Sequence, residues 1–257
     1  MTDPTFTVSA DDIIATLVSM KDDKQREILS RFFKTGKGQY GEGDRFLGLK
    51  VPQTREVVKA ARRQVSLEEI ARLLQSEWHE VRLCGFLLLV EEMKSALPRR
   101  REAPTVRADR RRELADFYLA HARQANNWDL VDLSCEKILG SWLLHPCADG
   151  SMPSRDILDR LAESPDLWEQ RIAIVTTLEL IRAREFDDTL RIARKLLSHP
   201  HDLIHKAVGW ALRELGKRDI DLLRNFLDIN YHSLPRTTLR YAIERMDPAE
   251  RHSWLNR

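Results

Sequence analysis

The sequence predicts an all-α protein made of helix pairs repeated along the chain, and three observations predict it. Apolar residues recur with a helical period almost throughout. No run alternates apolar and polar residues with the period of two that a half-buried strand requires. The chain also holds only 10 Gly and 10 Pro among 257 residues, too few for the frequent turns of a sandwich or barrel.

Taken in order, Ser9-Ala10-Asp11-Asp12 reads as a capping box opening a helix that carries Ile13, Ile14, Leu17 and Val18. Asp22 or Asp23 starts a second helix, with Ile28, Leu29, Phe32 and Phe33 expected inside. Gly36 to Gly48 is the one Gly-rich stretch and predicts a loop. Pro52 suits the first residue of the next helix, which runs to about Gln64. Ser66-Leu67-Glu68-Glu69 is a second capping box. A long apolar helix begins near Trp78 and ends at Pro98. Residues 99–112 are strongly basic but interrupted by Pro104, which reads as a solvated loop, and a helix follows from about Arg110 to Gln124. His145 to Ser154, with Pro146, Gly150 and Pro153, reads as a further loop.

Composition bounds the rest. Hydrophobic residues make up 42% and charged residues 32%, which fits a well-charged globular protein. The length allows one extended domain or two compact ones, and we expect a single repeat domain over residues 1–257. No stretch approaches the roughly 18 apolar residues of a membrane span. Met1-Thr2-Asp3-Pro4 lacks the basic-then-apolar layout of a signal peptide, so the cytoplasm is the expected compartment. Cys84, Cys135 and Cys147 are too widely spaced for a disulfide framework or a zinc site, and neither metal nor cofactor is expected. The formal net charge of +2 says little, but Arg outnumbers Lys roughly three to one, and the planar guanidinium fork suits phosphate oxygens. A GC-rich genome would give the same bias.

Internal repetition is the stronger signal. Leu73-Leu74-Gln75-Ser76, Leu161-Ala162-Glu163-Ser164 and Leu196-Leu197-Ser198-His199 each close a helix. Each is followed by a basic residue and an apolar run, beginning at Arg82, Arg171 and Lys206; Asp132 and Arg240 open comparable runs. The spacing, roughly 35–50 residues, is that of HEAT and armadillo helix pairs, which stack into a curved solenoid because no pair buries its apolar faces alone. An ordinary helical bundle is the plain alternative. In a solenoid, Arg82, Asp132, Arg171, Lys206 and Arg240 would form a row on a concave basic groove, with one acid among four bases.

That acid needs a reason. Trp128 and Asp132 are four residues apart and share a helix face. Lys206, Trp210 and Arg213 lie at three- and four-residue spacing in a later repeat. Cations and Trp faces suit a phosphate backbone and its sugars or bases. A carboxylate facing polyanionic DNA is repelled, unless positive charge develops beside it, as on a sugar losing its base. Neighbouring arginines would keep it ionised. Taken singly, each residue has a plainer reading: Trp as core, Asp as a helix cap, Arg as half of an ion pair.

The chain resembles the bacterial AlkD-type DNA glycosylases of the DNA alkylation repair, HEAT-like family. The resemblance rests on Phe46-Leu47-Gly48-Leu49-Lys50-Val51-Pro52 with Arg55, on Asn127-Trp128-Asp129-Leu130-Val131-Asp132, and on Leu167 to Val175. Lys206 to Glu214 and Pro235 to Ala242 complete it, so it spans about residues 10 to 247. It implies a monomer that grips double-stranded DNA containing alkylated bases, associates with the bacterial nucleoid and touches no membrane. It implies monofunctional excision of cationic N3- or N7-alkylated purines such as 3-methyladenine and 7-methylguanine, without base flipping. It assigns catalysis to Asp132, Trp128 and Arg171 and a DNA contact to Trp210; Lys206, Arg213, Arg236, Arg240 and Arg82, read from the repeats, are expected to bind the DNA backbone. A non-catalytic paralogue that binds damaged or branched DNA, or a scaffold for an acidic protein partner, would share the same architecture.

Overall fold

The structure is a computed structural model that describes residues 7–257, and no strand forms among them; one isolated bridge joins Arg45 and Trp78. Met1 to Pro4, where the leader layout was found lacking, lies outside the described residues. The chain divides into two compact units, Met1–Ile138 and Leu139–Arg257.

The first unit runs α1 (Ala10–Ser19), α2 (Asp23–Phe32), α3 (Val51–Ala61), α4 (Leu67–Leu74), α5 (His79–Ala96), α6 (Ala108–Ala120), a 3₁₀ turn (Ala122–Gln124) and α7 (Trp128–Asp132). Its starts follow the expected caps. The Ser9 hydroxyl accepts from the Asp12 N–H while Asp12 accepts from the Ser9 N–H, and Asp22 caps α2. At α4 only half of the second box forms: Ser66 accepts from Glu69, but the Glu69 carboxylate turns to the Ala10 N–H and ties α4 to the start of α1. Helix α5 is buried on nearly every side because α1, α3, α4, α6 and α7 all pack against it.

Two expectations fail here. Ile28 and Phe32 are exposed rather than inward, and α2 contributes no buried side chain at all. The basic 99–112 stretch is only partly a solvated loop. Arg99, Arg100 and Arg101 are exposed, but Arg111 is fully buried and donates to the carbonyls of Ala96, Pro104 and Val106. It thereby serves a carbonyl at the end of α5, which would otherwise be left unpaired in the interior. Arg110 pairs with Glu92 and Glu113, and Arg107 with Glu102.

A π-helical turn (Glu136–Gly140) leads into α8 (Ser141–Leu143). The second unit continues with α9 (Asp156–Ala162), α10 (Leu167–Arg182), α11 (Asp187–Leu196), α12 (Asp202–Gly216), α13 (Ile220–Asn230), a 3₁₀ turn (Tyr231–Ser233), α14 (Arg236–Ala242) and α15 (Pro248–Leu255). Helices α10, α12 and α14 pack side by side in one layer, while α9 and α11 pack together behind them. The first layer is parallel. Arg171, early in α10, reaches the Leu203 carbonyl early in α12, while Arg182 and Glu214 near the two C-terminal ends line one cleft. Arg224 grips Glu250 through two hydrogen bonds of 2.7 and 2.9 Å, holding α15 to α13. Cys84, Cys135 and Cys147 form no disulfide, and among the described residues no helix is long and apolar enough to cross a membrane.

Helices α12 and α14 approach at Gly209. A Cβ there would stand 2.5 Å from the Tyr241 Cβ and 2.7 Å from the Thr238 carbonyl oxygen, so only hydrogen fits. Replacing Gly209 by Val is expected to force the two helices apart and cost about 1–3 kcal/mol, read as a lower urea midpoint with the helical circular dichroism retained.

Candidate functional site

The site of the first unit begins at the Asn127 cap. The Asn127 side chain accepts from the Trp128 N–H at 2.9 Å and donates to the Asp44 carboxylate at 3.2 Å. It therefore starts α7 and fastens it to the Gly-rich loop at once. One helical turn separates Trp128 from Asp132, and both line a cavity of about 450 Å³. Its other walls are Phe32 and Phe33 from the end of α2, Phe46 and Leu49 from the loop, Lys50, Val51 and Pro52 at the start of α3, and His79, Glu80 and Leu83 from α5. Trp128 stays half-buried, stacked on Phe33 at 5.1 Å, and Phe33 stacks on Phe46 at 5.0 Å. Phe32, exposed on α2, meets Trp128 edge-on at 5.8 Å. This aromatic wall accounts for the outward Phe32: it forms the rim of the cavity.

Charge holds the cavity in place. His79 is buried between two carboxylates, with Nδ1 2.7 Å from Asp44 and Nε2 2.9 Å from Asp129. Burial opposes its charge, but Asp129 and Asp44 outweigh it and push the imidazole up to about 9, so both ring nitrogens donate at neutral pH. Burial likewise opposes ionisation of Asp44, yet His79 and then Arg82 hold its carboxyl below the ordinary value. The next residue, Glu80, accepts from the Leu47, Gly48 and Leu49 N–H groups at 2.8, 2.8 and 3.0 Å. Gly48 has φ +95°, and a Cβ there would meet the Asp22 carbonyl at 2.1 Å, so the loop can be cradled this way only with glycine. His79 and Glu80 therefore hold loop, α5 and α7 as one body.

The expected site residues fare differently. Asp132 is half-exposed and lines the cavity with Trp128. Arg82, expected on a surface row, is 6% exposed, with its guanidinium on Asp44 and the Ser76 carbonyl. It belongs to the internal network, because a carboxylate far off in sequence claims it. In the second unit, Arg171 is 5% exposed and donates to the Leu203 carbonyl at 2.7 Å. Lys206 pairs with Asp202 at 2.8 Å, Arg213 with Glu244, and Arg236 donates to the Leu255 carbonyl at 2.6 Å. Arg240 is exposed, and half-buried Trp210 shares a cleft of about 180 Å³ with Leu178, Arg182, Glu214 and Arg218. Trp168 is buried in the core. Sequence reasoning missed His79, Asp44, Glu80, Phe33 and the cage role of Phe46, although Phe46 and Asp129 lie inside motifs it singled out. Among the described residues no group of His, Cys, Asp and Glu could hold a metal ion.

A family model described as DNA alkylation repair enzyme matches residues 13–246. No curated protein matches the chain. The fold is similar to a solved structure titled a predicted DNA alkylation repair enzyme from Enterococcus faecalis, with a TM-score of 0.61 and 17% identity over 89% of this chain and 97% of that one. At that identity the likeness is one of fold.

The His79 bridge makes stability depend on pH. Its folded value lies above the ordinary 6.5, so its stabilisation is complete below about pH 6.5 and drains away as pH rises through about 9. The urea midpoint of the wild type is expected to fall as pH rises across that window. His79→Gln should remove this dependence and cost about 3–5 kcal/mol at pH 6, the usual penalty for breaking a buried ion pair.

Proposed function

The chain belongs to the DNA alkylation repair enzyme family, and from that premise we propose that it is a monofunctional DNA glycosylase for cationic N3- and N7-alkylated purines in duplex DNA. One observation carries the reading: Trp128 and Asp132, a helical turn apart, open together onto the aromatic cavity of the first unit. An alkylated purine is already a cationic leaving group. As the N-glycosidic bond breaks, its electron pair passes to the base and positive charge gathers on the sugar. The Asp132 carboxylate stabilises that charge, water adds at the anomeric carbon and a proton is lost to solvent. Trp128 packs against the deoxyribose beside Asp132. Because stabilisation acts on the sugar, the base need not be flipped into a closed pocket. Lys206, Arg213, Arg236 and Arg240 hold backbone phosphates and carry no sequence information.

The buried, carbonyl-bonded Arg171 favours a second reading in which the protein binds damaged or branched DNA without excising bases. One assay separates the two. Duplex containing 7-methylguanine is incubated with the protein, and free base is measured. Asp132→Asn is expected to lower single-turnover base release by about 10²–10³, the range for removing one preorganised electrostatic group, while duplex affinity is retained. Wild-type protein that binds duplex tightly yet frees no base would establish the binding reading instead.

A further inference from the structure

The two ends of the α3–α5 pair differ sharply in chemistry. Their N-terminal ends line the aromatic cavity through Val51, Pro52, His79 and Glu80. Their C-terminal ends line two adjoining clefts of about 230 and 90 Å³, which share Arg62 and Glu91. The helices are therefore parallel, and a groove between them leads away from the cavity. Arg55, Lys59, Arg62, Arg63 and Lys94 stand along it with Glu91 as the single acid of the lining.

Glu56, beside the groove, pairs with Lys59 at 3.9 Å, so five cations against two carboxylates leave a surplus of three positive charges, where the whole chain has a formal surplus of two. Glu91 is already engaged by Lys94 at 2.6 Å, and the Arg55, Arg62 and Arg63 side chains have no hydrogen-bond or ion-pair partner among the described residues. All five cations are exposed. A simpler role would be to complement the helix C-termini, but two helix ends present only about one unit of negative charge between them. Most of the surplus has no counterpart within the protein.

We propose that the α3–α5 groove holds the sugar–phosphate backbone of DNA, several nucleotides away from the group seated at Trp128 and Asp132. Pro52 and Arg62 are ten residues apart, about 15 Å along the helix axis, and a strand rises about 3.4 Å per nucleotide. The groove's far end therefore meets the strand about four or five nucleotides from the cavity. This rests on the reading above for its ligand, not for its chemistry.

The test is the salt dependence of binding to a lesion-free duplex, measured with the full chain. Each lost phosphate contact lowers the slope of log affinity against log salt by about 0.9. Arg62→Ala/Arg63→Ala is expected to lower the magnitude of the slope by about 2 and to leave saturated base release unchanged. Arg160→Ala/Arg194→Ala removes the same charge from exposed positions on α9 and α11, and should leave the slope as it is. Equal loss in both double variants would reduce the effect to overall charge and overturn the assignment. So would an unchanged slope in the groove variant, and if that variant lost affinity for polyglutamate instead, the groove would belong to an acidic protein partner. Base release reports separately on the glycosylase reading: a groove-dependent slope without base release keeps the groove and removes the enzyme.

Discussion

The site depends on one buried cation, His79, shared between Asp44 and Asp129. An imidazolium taken out of water is costly, and it persists only because both ring N–H groups meet carboxylates at short range. That requirement fixes three distant segments at once. The Gly-rich loop supplies Asp44, α5 supplies His79, and α7 supplies Asp129, with Asn127 joining the loop from the other side. Trp128 lies between Asn127 and Asp129, so its ring has little freedom to be elsewhere. Asp132 follows one turn later on the same short helix.

The helices were legible in the sequence, and so were most of their starts, because period and caps are local signals. Ser9 and Asp22 stand where the pattern put them, and Pro52 falls one residue inside the start of α3. The Trp128–Asp132 pair was legible from spacing, and the family from its motifs. The network beneath the site was not. Arg82 at the start of an apolar run looks like a surface cation until Asp44, 38 residues earlier, is known to sit beside it. Arg111 likewise reads as one more residue in a basic run, yet it serves carbonyls inside the fold. Phe32 misled in the opposite direction, since a large apolar side chain predicts burial and gives no hint that a cavity rim will use it. Arg82 and Phe32 were misread because their partners lie far away in sequence, and Arg111 because the loop before it folds back over its side chain, which period and propensity register no better.

These features divide the first unit by chemistry rather than by element. At one end of the α3–α5 pair, aromatic rings and a carboxylate suit a sugar on which positive charge develops. At the other, unpaired guanidiniums suit phosphate. The same two helices carry both, so the distance between the two environments is set by backbone rise and not by flexible side chains. Gly48 and Glu80 add to this rigidity, because the loop is held by its own N–H groups as well as by the buried Phe46, Leu47 and Leu49.

Helix α2 is the exception to that rigidity. It lends Leu29, Phe32 and Phe33 to the cavity, yet none of the side chains from Asp23 to Phe32 is buried. A segment with so little buried area opens at a small fraction of the global unfolding free energy, and its amide hydrogens exchange early. The cavity thus has a stiff back, built on α5 and α7, and a front whose rearrangement is thermodynamically cheap. Its capacity is therefore set by how much α2 yields as well as by its resting volume.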